Sequence, residues 1–331
     1  MPDLPLVVIA DLITDALEPE RRVLGEIATV VAANGYCEAD LVGQVEDAVA
    51  IMLYHNLGLT RSTIERLHSC KLIVRCGVGF DNVDRAFART RGIAVSNVPD
   101  YGTEEVADSA IGMLLSLARG ISFFNSFLRE GGREWTFTHA GPLTRLRGRT
   151  LGIVGLGRIG TATALRARAH GMNVAFYDPY KLDGYDKSLG VKRAETLDDL
   201  LRQSHVVSLH CPLTDETRHM IDERAIATLP RGAYLINTSR GAVVDTRAVP
   251  PALASGQLAG AAIDVLEREP PADDHPLLVA WRDPSHPAHH RLILNPHAAF
   301  YSEEGVLDMR TKGAETCRRA LLGLPLRNVV N

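Results

Sequence analysis

The chain is expected to be an α/β protein of two doubly wound parallel-sheet domains, and three observations predict it. Its 331 residues exceed the size at which one hydrophobic core keeps growing, so two domains are the natural division. Short apolar runs alternate with helical stretches along the chain, the pattern of parallel strands joined by crossover helices. Near the middle, Gly155-Leu156-Gly157-Arg158-Ile159-Gly160 separates an apolar run, Thr150 to Val154, from a helix-like stretch, Thr161 to His170.

Each element has its own signal. Leu6 to Ala10, Ala48 to Tyr54, Leu72 to Val74 and Ile93 to Val95 read as buried strands, with a helix over 60–67 opened by a Thr60 cap. Val106, Ala110, Met113, Leu114 and Leu117 recur at helical spacing and predict a long, largely buried helix over 103–119. From Glu130 to Arg149 the periodicity is lost. That segment is either a loop or an arm that packs on another subunit, because Trp135 and Phe137 are otherwise exposed aromatics. Further strands are expected at Asn173 to Asp178, Val206 to His210, Tyr234 to Asn237, Ala261 to Val265 and Leu292 to Leu294. Pro250-Pro251 is read as the first turn of a helix, where a missing N–H does no harm. Between Pro270 and Leu292 the clustered His286, His289 and His290 are taken as a solvated, proline-interrupted loop and not as a metal site. Ser302 to Leu324 closes the chain as one helix.

The glycine turn carries the first chemical signal. Its plain reading is a Gly-rich bend between strand and helix. Its functional reading is a dinucleotide site, in which glycines allow a tight turn, close approach to a pyrophosphate and close helix-to-strand packing. The phosphates would meet unpaired N–H groups at a helix N-terminus. Asp178 ends the next strand eighteen positions beyond Gly160, close to the spacing of a ribose-binding carboxylate. Its charge repels an additional phosphate, so NAD is expected over NADP.

Composition narrows the field. Apolar residues are 46% of the chain and charged residues 23%, with a net charge of −4, so nucleic acid is not an expected partner. No apolar stretch reaches the length of a membrane span, and the start, MPDLPLVVIADLITD, reads as a first strand of a cytoplasmic protein. Five scattered cysteines without a CxxC pair suit reduced thiols and no structural metal.

In open parallel sheets ligands bind outside the carboxyl ends of the strands. Asp178, the Cys211-Pro212-Leu213-Thr214 run, Thr238-Ser239-Arg240, Asp264 and His297 all stand at or just after the ends of expected strands, so they line one edge.

The segments RCGVGFDNVD (75–84), GIAVSNVP (92–99), EEVADSA (104–110), LGIVGLGRIG, NVAFYDPY, HCPLT, INTSRGAVVD (236–245), GAAIDVLEREP (260–270) and NPHAAFYSEE (295–304) follow one another in order over nearly the whole chain. In them the sequence resembles the D-isomer-specific 2-hydroxyacid dehydrogenases, and most of all their C-terminal binding protein branch. The resemblance implies a Rossmann cofactor domain at 101–299, with a dimerisation arm at about 101–150, inserted into a flavodoxin-like substrate domain made of 1–100 and 300–331. It also implies a homodimer.

The resemblance places catalytic roles on Arg240, Glu269 and His297, and the chemistry suits each. Arg offers a planar, permanently charged fork to a carboxylate and carbonyl. Histidine exchanges protons near neutral pH, and a neighbouring carboxylate orients it and favours its cation. Glu269 fits that place, whereas Glu267, two residues earlier in an extended segment, is expected to face the other way. Taken singly, these three could be a surface cation, a loop acid and a cap.

For the substrate, the turn at Gly77 and Gly79 presents the backbone of Val78 and Gly79 as an anion nest. The resemblance adds Arg75, His55 and Phe300. Arg75 could instead pair with an acid such as Asp81, and His55 could be an exposed loop residue. Phe300 stands where the branch has Trp, which puts the substrate's size in doubt. Cofactor contacts are assigned by resemblance to Val78, Thr103, Gly155, Gly157, Arg158, Ile159, Gly160, Asp178, Cys211, Pro212, Thr217, Thr238, Arg240, Asp264 and His297.

Two functions are implied. One is NAD-dependent interconversion of a D-2-hydroxy acid and its 2-oxo acid. The other is an NAD(H)-sensing corepressor, which the ending of the chain at Asn331, without a long tail, makes the less expected of the two.

Overall fold

The computed structural model describes residues 4–132, 134–140 and 143–331. The chain divides into two compact units, 1–102 with 301–331, and 103–300.

The first unit is built on five parallel strands, β1 (Leu6–Asp11), β2 (Thr29–Gly35), β3 (Ala50–Leu53), β4 (Leu72–Arg75) and β5 (Ala94–Asn97), in the order β2-β1-β3-β4-β5. This is the flavodoxin-like order. Strands β3 and β4 are buried throughout, as a sheet covered on both faces requires. In this sheet the sequence reading omits strand β2: TVVAANG sits at the edge, half exposed, with no continuous apolar run. The helix Arg61–Ile64 is shorter than expected, though Thr60 does cap it, its side chain accepting from Ser62 N. The last helix, Glu303–Leu321, is capped by Ser302, which accepts from Gly305 N. This helix comes close to the sheet at Gly313, where a Cβ would stand 2.7 Å from Cys76 Sγ and 2.8 Å from Met52 Cε.

The second unit holds seven parallel strands, β6 (Thr150–Val154), β7 (Asn173–Tyr177), β8 (Lys192–Arg193), β9 (Val206–Leu209), β10 (Ala233–Asn237), β11 (Leu258–Ile263) and β12 (Leu292–Leu294). Their order is β12-β11-β10-β9-β6-β7-β8, the doubly wound Rossmann arrangement extended by one strand. The two-residue side-chain period sorts each strand between two cores. Ile153, Phe176, Ile236 and Ala262 pack with Ala110, Leu114 and Leu117 of the helix Thr103–Ala118. Val154, Val207, Leu235 and Ile263 pack on the opposite face with Leu200, Ile226, Leu253 and Leu277. All strands stay parallel, but the order in which they are added reverses between β6 and β9, so the topological switch point lies at their carboxyl ends.

Several expectations need correction here. Residues 120–129, to which the sequence reading assigned no element, form a second helix, Ile121–Arg129, opened by Gly120 at φ 63°. The helix behind the glycine turn starts at Arg158, inside the motif, and not at Thr161. The segment read as a solvated loop contains the helix Pro276–Arg282, with Leu277, Leu278 and Ala280 buried, and leaves His289 and His290 half-buried. The Pro250-Pro251 pair does lie in the first turn of a helix, Val249–Ser255. Trp135 and Phe137 are 90% and 81% exposed. Among the described residues no single helix is long and apolar enough to cross a membrane.

Candidate active site

The glycine turn follows β6 at the switch point, and two of its glycines are dictated by packing. A Cβ on Gly155 would stand 2.8 Å from Cys211 N and 2.9 Å from the carbonyl carbon of His210, so the turn lies directly on the backbone that follows β9. Gly155 also holds φ 88°, a left-handed value that glycine adopts without strain. A Cβ on Gly160 would stand 2.1 Å from Gly155 O, so the helix begins against the turn. Around Gly157, by contrast, a Cβ would meet nothing within 4 Å. Gly157 is the N-cap of the twelve-residue helix Arg158–Ala169 and faces open space, as a pyrophosphate cradle must.

Asp178 leaves the end of β7 beside this turn. Its Oδ2 accepts from Leu156 N at 2.9 Å and its Oδ1 from Tyr180 N at 3.0 Å, which fixes the carboxylate next to the second motif residue. Cys211 is buried, and burial pushes its thiol up to about 12, so it lines the turn as a neutral group. Thr217 Oγ1 accepts from Thr214 N at 2.8 Å and donates to Pro212 O at 2.7 Å, closing the Cys211–Thr217 bend. Thr238 Oγ1 is buried with no hydrogen-bond partner among the described residues, a polar atom that a ligand can satisfy. Open Gly157, edge-placed Asp178 and orphaned Thr238 together fit a dinucleotide.

One residue here was missed by sequence reasoning. His210 is half-buried directly after β9, its Nε2 2.9 Å from Ser208 Oγ, and burial depresses its pKa to about 3. A histidine at a strand end gave no signal of burial.

The neighbouring loops carry Arg240, Glu269 and His297. After β10, Asn237 organises the Arg240 loop, its Oδ1 accepting from Ser239 N at 3.0 Å and its Nδ2 donating to Arg240 O at 3.0 Å. Gly241 then lies against the next loop so closely that a Cβ would stand 1.9 Å from the carbonyl carbon of Leu266. The Arg240 and Glu269 loops are therefore in backbone contact.

Glu267 and Glu269 do part company. Glu267 turns inward, accepting the hydroxyl of buried Thr246 at 2.7 Å and its amide at 3.2 Å. Glu269 accepts from Leu266 N through Oε1 at 2.8 Å, and its Oε2 stands 2.7 Å from Nδ1 of His297.

His297 is held in a left-handed conformation, φ 53°, of the kind that costs about 1–3 kcal/mol. Asp264 supports it. The Asp264 carbonyl accepts from His297 N at 2.7 Å, and its buried carboxylate accepts from Ala298 N at 2.9 Å and Ala299 N at 3.1 Å. Burial pushes the Asp264 carboxyl up, against the pull of those amides. The ring of Phe300 lies edge-on to His297, centroids 6.3 Å apart.

A model of the NAD-binding domain of the D-isomer-specific 2-hydroxyacid dehydrogenases matches residues 111–299. The chain belongs to that family. Its cofactor is NAD, in keeping with the Asp178 placement. Among curated members, D-3-phosphoglycerate dehydrogenase of Methanocaldococcus jannaschii is 36% identical over 97% of this chain and 59% of its own length. C-terminal-binding protein 1 of Caenorhabditis elegans is 33% identical over 92% of this chain and 42% of its own. The chain thus spans about half the length of these relatives. The crystal structure of Aquifex aeolicus D-lactate dehydrogenase with NAD and lactic acid superposes with a TM-score of 0.84, at 28% identity, over 96% of each chain.

The remaining candidates of this family member lie in the first unit or at its border. Arg75, 5% exposed, is the last residue of β4, and its guanidinium covers Gly77, where a Cβ would overlap it. Val78 O accepts from Asn97 Nδ2 at 2.7 Å, which fixes the turn carrying Val78 and Gly79. His55 is half-buried after β3, and Thr103 is the first residue of its helix.

Proposed function

We propose that the chain is an NAD-dependent oxidoreductase that interconverts a D-2-hydroxy acid and its 2-oxo acid. The observation that carries this reading is the His297–Glu269 pair at the sheet edge that also bears the glycine turn and Asp178. When bound, NADH supplies the hydride for the carbonyl carbon. A carboxylate accepts hydrogen bonds, so Nδ1 of His297 bears the hydrogen that faces Glu269. Nε2 is then the atom that gives a proton to the developing alkoxide, and takes one back in oxidation. Glu269 holds the ring and balances the imidazolium charge. Arg240 offers two parallel N–H groups to the substrate carboxylate and carbonyl. Taken by itself, the first unit offers the backbone of Val78 and Gly79 with Arg75 and His55 as its own candidates for holding an anion. Phe300, beside His297, limits its size.

The cofactor contacts follow from the same edge: Gly155, Gly157, Arg158, Ile159 and Gly160 for the pyrophosphate, Asp178 for the ribose, and Cys211, Pro212, Thr217, Thr238 and Asp264 toward the nicotinamide. The exposed Trp135 and Phe137 support pairing of two copies through the second unit.

NADH oxidation across 2-oxo acids of graded size, with NADPH as control, tests the reading: turnover of one such acid supports it, and turnover of none overturns it. The 33% identity to C-terminal-binding protein 1 favours a second reading, an NAD(H)-responsive regulator with little turnover. Tight binding of a partner peptide without reduction of any acid is the outcome that selects it.

A further inference from the structure

The second unit carries another cluster at the amino end of β12, the end opposite to His297. Glu130 ends the helix Ile121–Arg129, and His289 and His290 immediately precede β12. Each side chain offers a ligand atom, and the three atoms all lie within 4.8 Å of one another. The sequence reading set these histidines aside as solvated. The structure packs them instead: the rings stand edge-on with centroids 4.4 Å apart, and His290 is edge-on to Phe123 at 4.9 Å.

Hydrogen-bond roles decide what the cluster lacks. Nδ1 of His289 is 2.8 Å from Trp281 O, a carbonyl that can only accept, so Nδ1 bears the hydrogen. Nε2 of the neutral ring then presents a lone pair, 3.3 Å from Oε1 of Glu130. That oxygen is itself an acceptor, already taking the Ser126 hydroxyl at 2.6 Å. Two acceptors facing each other need a cation between them. A proton can serve that one pair of atoms, but a metal ion serves all three groups. The arrangement is also the one seen around ligating histidines, in which a backbone carbonyl holds the far ring nitrogen and aims the near one. Bond lengths near 2.1 Å put neighbouring ligand atoms on a tetrahedral ion about 3.4 Å apart. The His289–Glu130 pair already has that spacing, and Glu130, exposed at its helix end, can rotate to close the rest.

We propose that Glu130, His289 and His290 bind one zinc-class divalent cation, with the remaining coordination position open to water. Two imidazoles and one carboxylate suit an ion of borderline softness and disfavour magnesium or calcium. The ion ties the end of the helix Ile121–Arg129 to the segment that leads into β12.

The test uses the full chain, stripped with a chelator and titrated with Zn²⁺ against a chromophoric competitor, with visible absorption of Co²⁺ as a readout of ligand geometry. The expected result is one equivalent bound, weakened about 10–100-fold or more by His289→Gln, His290→Gln or Glu130→Gln, and unchanged by His297→Gln at the other end of the strand. Circular dichroism verifies that each variant is folded. If a histidine variant is not, the exposed Glu130→Gln decides. Absence of saturable zinc binding, binding indifferent to Glu130→Gln, or binding lost with His297→Gln overturns the proposal.

Discussion

His297 and Glu269, 28 positions apart in sequence, face each other at 2.7 Å from Nδ1 to Oε2. If this pair exchanges the substrate proton, His297→Gln removes the acid and lowers kcat by about 10²–10⁴-fold, the usual contribution of a positioned acid or base. Glu269→Gln leaves an acceptor for Nδ1 but no charge, so kcat falls less. Neither change touches the glycine turn. NADH affinity, followed by fluorescence titration, stays within a few fold, and unaffected turnover in His297→Gln removes the residue from its role.

If the cofactor ribose meets Asp178, which is bonded to Leu156 N, that carboxylate sets the coenzyme preference. A carboxylate near the 2′-phosphate of NADPH repels it by about 1–4 kcal/mol at 4 Å, depending on how far water screens the pair. Asp178→Ser is expected to narrow the preference for NADH over NADPH in kcat/KM by about tenfold or more. A ratio identical to that of the unaltered chain rules this source of selectivity out.

The two sheets were legible because apolar strands and punctuating glycines obey local rules. Gly160 is forced within its own strand–turn–helix unit, by Gly155 O, whereas Gly155 is forced by its φ of 88° and by the backbone of His210 and Cys211, distant in sequence. Strand β2 was not legible because an edge strand lacks the apolar run that marks a buried one. The helix Pro276–Arg282 was masked by the prolines and histidines around it, and its reason for being there, Leu277 in the core, is tertiary. The parting of Glu267 and Glu269 followed from alternation along an extended segment. What draws Glu267 inward, the hydroxyl of Thr246, is 21 residues away and left no trace in spacing.

Arg310 is a pairing of the same illegible kind. It donates from Nε and Nη2 to Glu20, a residue with no exposed surface, at 2.6 and 2.7 Å, although 290 positions separate them. Arg310→Met leaves the Glu20 carboxylate buried without its cation, which costs about 3–5 kcal/mol. Urea denaturation measures this, and a loss under about 1 kcal/mol contradicts it. Arg310 also bonds Asp15 and holds its carboxyl below the ordinary value of 3.8. A depressed carboxylate stabilises the fold above its ordinary value and ceases to do so as pH falls through the lowered one. The stability difference between the unaltered chain and Asp15→Asn is therefore largest near neutrality and shrinks below about pH 4.

His210 gives a dependence of the same sign in a higher pH window, from a group that is charged only when protonated. Its imidazole is closed in at the end of β9 with Nδ1 unpartnered among the described residues, and burial takes its pKa from 6.5 to about 3. Above pH 6.5 the ring is neutral whether the chain is folded or not, and contributes no slope. Below it the unfolded chain takes up a proton that the folded one refuses, so stability falls as pH drops from 6.5 toward 3, by up to about 1.4 kcal/mol per unit. Other groups titrate in this window, so the informative quantity is the difference from His210→Gln, which has no proton to bind. Urea denaturation of both proteins at pH 7.5, 6, 5 and 4 is expected to show the unaltered chain losing stability faster over the last two steps. Parallel profiles mean that His210 is wetter, or better partnered, than its unpartnered Nδ1 implies.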